Sequence, residues 1–64
     1  MKDQWYIQRN YGSDDCFYWG TEKEAKKWTE LTGSELELYS GKKTDSELSS
    51  EQNSYNLQDE FNNL

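Results

Sequence analysis

Only nine of the 64 residues are leucine, isoleucine or phenylalanine, and there is no valine. A supply this thin falls in the range that normally leaves a chain disordered. Three Trp, five Tyr and two Phe offset it, because each ring can bury roughly 150–250 Å². Any core must therefore be built mainly from rings. A chain of this size buries only about 60% of the surface its unfolded form exposes. Its total stability is on the order of 3–10 kcal/mol. One domain fits, with no room for a large enclosed pocket.

The rings sit where strands are expected. In Gln4-Trp5-Tyr6-Ile7-Gln8-Arg9, the residues Trp5, Ile7 and Arg9 share one face, and Gln4, Tyr6 and Gln8 share the other. Asn10 to Asp15 is turn chemistry, and Cys16-Phe17-Tyr18-Trp19 reads as a second strand ended by Gly20. The two make an antiparallel hairpin. Thr21-Glu22-Lys23-Glu24 has the pattern of a capping box. Ala25, Trp28 and Leu31 follow at helical spacing, and Gly33 stands where a left-handed cap belongs. A helix is expected over 21–32. Glu35 to Tyr39 alternates and is expected as a third strand with Leu36 and Leu38 inward.

These elements predict a small α+β domain. It has a three-stranded antiparallel sheet in ββαβ order, one packed helix and a C-terminal helical tail. The expected core is Trp5, Ile7, Phe17, Trp19, Ala25, Trp28, Leu31, Leu36 and Leu38. With that face inward, Tyr6, Tyr11 and Tyr18 are expected as surface rings available to a partner.

Composition changes at residue 43. Residues 1–43 carry eight acids and seven bases, whereas 44–64 carry five acids and no base. The chain therefore divides into an aromatic ββαβ core, 1–43, and an acidic helical tail, 44–64, expected to dock on the core or on a partner. Thr44-Asp45-Ser46-Glu47 repeats the capping-box pattern. On one straight helix Leu48 and Tyr55 fall on one face, and Leu57, Phe61 and Leu64 on nearly the opposite one. A break is therefore expected around Ser49–Ser54, followed by a helix from about 55 to 63 capped by Asn53 or Ser54.

Chemistry is poorly provided for. There is no histidine, the commonest general base and usual activator of nucleophiles. One cysteine without histidine does not make a zinc site. The adjacent pairs Asp14-Asp15 and Asp59-Glu60 diverge on a strand or helix. A non-enzymatic protein without cofactor or metal is expected. The opening MKDQWYIQRN is charged and alternating, unlike a secretory leader. No stretch approaches the ~20 apolar residues that span a bilayer. Cys16 has no second cysteine to pair with. These features predict a cytoplasmic protein with no membrane partner.

The net charge of −6 disfavours direct nucleic-acid binding, whose non-specific affinity comes from lysine and arginine on phosphates. It favours a protein partner with a basic surface. Asp45, Glu47, Glu51, Asp59 and Glu60, spaced along helices without compensating bases, can imitate a ladder of phosphates. In size, acidity and lack of catalytic residues the chain resembles the small stand-alone inhibitors of phages and mobile elements, including anti-CRISPR and other anti-defence proteins. That resemblance implies inhibition or regulation of a nucleic-acid-processing enzyme through its basic surface. The expected contact residues are those five carboxylates with Tyr6, Tyr11 and Tyr18. One alternative is a nucleic-acid-binding regulator using the aromatic hairpin and Lys23, Lys26, Lys27, Lys42 and Lys43. Another is a self-associating subunit, a homodimer pairing through Leu57, Phe61 and Leu64.

Overall fold

The computed structural model describes residues 2–10 and 12–64. Strands β1 (Gln4–Gln8) and β2 (Cys16–Gly20) form the antiparallel hairpin, with Trp5 opposite Trp19, Tyr6 opposite Tyr18 and Ile7 opposite Phe17. Asp15 ties the loop, its carboxylate accepting from the Asn10 backbone N–H at 3.0 Å. Helix α1 (Glu22–Thr32) opens on the capping box and closes on Gly33, whose φ of 75° places it in the left-handed region. Thr21 Oγ1 accepts from the Glu24 N–H at 3.2 Å, and Glu24 Oε1 accepts from the Thr21 N–H at 2.9 Å.

Beyond α1, β3 is only Glu37–Leu38, antiparallel to β1. Helix α2 (Asp45–Ser49) has its own capping box from Thr44 and Glu47. Strand β4 (Ser54–Asn56) then pairs parallel to β2, and α3 (Leu57–Asn62) follows directly. The general class is α+β as expected, but the sheet is four-stranded and mixed, in the order β3-β1-β2-β4. The additional strand comes from the tail, where a helix was expected to begin. The Asn53 carbonyl accepts from the Phe17 N–H at 2.9 Å and starts the parallel pairing. The break falls near the expected place, but Asn56, rather than Asn53 or Ser54, caps the last helix through its side chain.

Both faces of the hairpin are covered. Tyr6 and Tyr18 are buried with Ala25 of α1 and Leu57 of α3, and Trp28, Leu36 and Phe61 pack around them. On the opposite face Ile7 and Phe17 are buried with Leu48 of α2, flanked by Trp5 and Tyr39. The expected core is corrected accordingly. Ile7, Phe17 and Ala25 are buried; Trp5, Trp19, Trp28 and Leu36 are half-buried; Leu31 and Leu38 are exposed. Helix α1 covers the tyrosine face, so the surface role expected of Tyr6 and Tyr18 does not hold. Rings on both faces gave the helix two apolar surfaces to choose from. Leu38 lies at the edge of the two-residue β3, and no element covers it.

The two most buried side chains, Leu48 and Leu57, come from the tail. Gly20 explains how closely Leu57 seats, because a Cβ there would lie 2.8 Å from Leu57 Cδ1. Phe61 meets Trp28 edge-on at 5.7 Å between centroids. Leu57 and Phe61 are thus spent inside the chain, and of the set proposed for self-pairing only Leu64 stands exposed. Among the described residues, no helix is long and apolar enough to cross a membrane.

Candidate functional site

The five tail carboxylates separate into three places. Asp45 lies in the first turn of α2 and Asp59 in the first turn of α3. Both are exposed and line one open cleft of ≈ 550 Å³ with Trp5 and Trp19. Ser46, Ser49, Ser54, Tyr55 and Asn56 complete its walls, and no lysine or arginine is among them. Glu47 and Glu51 share a shallower hollow on α2 with Ser46 and Ser50. Glu60 is half-buried, close enough to Tyr18 for its charge to act on the phenol.

Two of these groups also serve the fold. Glu47 closes the α2 capping box. Glu51 forms an ion pair with Lys43, and its carboxylate raises the lysine pKa. Among the described residues, Asp45, Asp59 and Glu60 make no ion pair. Acidic groups in a first turn are favourable at the positive end of the helix dipole, which accounts for Asp45, Glu47, Asp59 and Glu60 without any partner.

The tyrosines behave differently from the expectation. Tyr18 is 7% exposed and its hydroxyl donates to Gln8 Oε1 at 3.2 Å. Burial pushes its pKa up to about 12; the nearby Cys16, Tyr55 and Glu60 add to the rise, and the Trp28 indole opposes it. Tyr6 donates to Gln4 Oε1 at 3.2 Å, and its pKa is also raised, by burial and then by Glu22. Neither ring is available to a partner. Tyr11 lies outside the described residues. Tyr55, which the sequence did not single out, is the exposed tyrosine among the described residues: it stacks on Tyr18 at 5.3 Å between ring centres.

Of the five lysines named from the sequence, Lys23 and Lys42 are exposed and make no ion pair among the described residues. Lys26 pairs with Glu22 at 3.3 Å, Lys27 sits 5.3 Å from the Phe61 ring centre, and Lys43 is held by Glu51. A larger groove, ≈ 840 Å³, runs between α1 and β3 over Tyr6, Leu36 and Leu38. It carries Glu22, Glu30, Glu35 and Glu37, but Lys26 and Arg9 neutralise two of these.

The expected contact residues left out Trp5 and Trp19, which were assigned to the core and entered only the alternative reading of the aromatic hairpin. Their rings lie 5.0 Å apart and tilted by 50°, and each is half-buried at the cleft. The signal was present in the tail. Its hydrophobic residues after residue 43 number five, too few to roof two indoles as well as fill the tyrosine face. No protein-family description, characterised protein or solved structure matches this chain.

Proposed function

We propose that this is a small acidic, non-enzymatic binding protein that occupies the basic surface of a nucleic-acid-processing protein and thereby inhibits or regulates it. The observation that carries the reading is the placement of Asp45 and Asp59. Two carboxylates that make no ion pair among the described residues stand beside two half-exposed indoles in a cleft whose described lining holds no lysine or arginine. Glu47, Glu51 and Glu60 extend the negative surface along the same 21 residues, which contain no lysine or arginine. Such a surface attracts exposed lysine and arginine and draws a basic partner in by steering. The anti-defence role implied by the general resemblance belongs to this reading.

The test is capture from nuclease-treated host lysate by tagged wild-type protein and by a variant with Asp45, Asp59→Asn and Glu47, Glu51, Glu60→Gln. The expected result is a protein partner that survives nuclease, elutes as salt is raised and is lost with the variant. Undiminished capture by the variant rejects the acidic-surface reading. Recovery of nucleic acid alone, with direct binding of an oligonucleotide by the purified protein, transfers the function to the aromatic hairpin.

A further inference from the structure

We infer that the cleft beside Trp5 and Trp19 receives an arginine side chain of the partner. The inference rests on the basic-partner reading and names the contact that reading would use. Trp5 and Trp19 occupy facing positions on β1 and β2 and form an aromatic wall. Asp45 and Asp59 reach the same cleft from α2 and α3. An anion would be repelled there. A neutral apolar group would strip water from two carboxylates and return nothing to them. A cation satisfies both features, attracted by the ring faces and by the carboxylates.

Among cations the guanidinium is the better match. It is planar, weakly hydrated and able to stack on an indole while its paired N–H groups donate to a carboxylate. An ammonium is a strongly hydrated point charge and gains less from a tilted pair of rings. The open cleft, ≈ 550 Å³, has ample room for one arginine side chain. Among the described residues no lysine or arginine lines it; Lys2 and Lys43 line an adjoining hollow that shares Trp5, Trp19 and Asp45 with the cleft.

The probe is a blocked Gly-Arg-Gly-Arg-Gly peptide, titrated while the indole N–H resonances of the tryptophans are followed by NMR. Peptides with lysine, or with citrulline, the neutral isostere of arginine, are run beside it. Saturable movement of the Trp5 and Trp19 signals is expected, with Trp28 unmoved. Affinity is expected to fall at least about tenfold for the citrulline peptide and for the Asp45→Asn/Asp59→Asn variant, because each removes the charge from the contacts to both carboxylates. Asp45→Glu/Asp59→Glu keeps binding, and Glu30→Gln/Glu35→Gln, exposed on the separate α1–β3 groove, leaves it within about twofold. Equal binding of arginine and citrulline peptides by the wild-type protein overturns the inference without any variant. So does equal binding of the lysine peptide, or saturation with both indoles unmoved. The two readings fail separately. Stationary indoles with salt-sensitive partner capture reject only the arginine cleft, whereas undiminished capture by the five-residue variant rejects the acidic-surface reading.

Discussion

At the scale of single residues, the sheet is held by side chains that a hydropathy pattern undervalues. Tyr6 and Tyr18 are buried as fully as Ile7 and Phe17, yet each carries a hydroxyl that needs a partner. Gln4 and Gln8, on the same face of β1, accept those hydroxyl protons. The glutamines are therefore part of the core's chemistry and not merely its polar edge. A pH dependence follows. The folded-state pKa of Tyr18, about 12, lies above that of an unfolded tyrosine, near 10. Below about pH 10 both states keep the proton and the contribution is whole. Above it the unfolded state releases the proton first, so stability falls by roughly 1.4 kcal/mol per pH unit until the folded phenol also ionises. Tyr6, shifted in the same direction, steepens the loss. Urea unfolding followed from pH 8 to 11.5 is expected to show a flat midpoint and then a steady decline. A midpoint constant to the top of that range contradicts the burial of the two phenols.

At the scale of elements, legibility followed the strength of local signals. The hairpin and α1 could be read directly because each combines alternation or helical spacing with its own punctuation, Gly20 or the Thr21–Glu24 box and Gly33. The face that α1 covers could not be read, because Trp5-Tyr6-Ile7 offers apolar surface on both sides. Strand β4 was hidden for another reason. Ser54-Tyr55-Asn56 is too short and polar to show a period, and its pairing comes from β2, 37 positions earlier in register. Neither strand propensity nor spacing carries that information. The cleft was half legible: its carboxylates were named from charge, but its rings were assigned to the interior. Helix α2 depends on its cap more than most helices do. Five residues cannot sustain a helix alone, and α2 supplies Leu48 to the sheet. Thr44→Ala removes the acceptor for the Glu47 N–H and is expected to cost about 0.5–2 kcal/mol. Chemical denaturation measures it, and an unchanged midpoint would show that the α2 capping box does not form.

For the whole molecule, the change in composition at residue 43 marks a change in surface, not an end of the core. A chain cut there would lose β4, α2 and α3 and with them Leu48 and Leu57. It would also fall close to the ~40-residue limit below which lone domains seldom fold unaided. The polar stretch from 44 to 64 turns Leu48, Leu57 and Phe61 inward and so holds the exposed Asp45 and Asp59 in place beside Trp5 and Trp19. The functional proposal depends on that fixity, because a carboxylate pair held in one arrangement loses less entropy on binding than a free acidic tail. Native-state amide hydrogen exchange tests this central claim most directly. The account predicts that amides of β4 and the first turn of α3 with hydrogen-bond partners are protected together with those of β1 and β2, in one cooperative unit. Free exchange from residue 50 onward, beside a protected hairpin, would contradict it and reduce the tail to an unattached acidic segment.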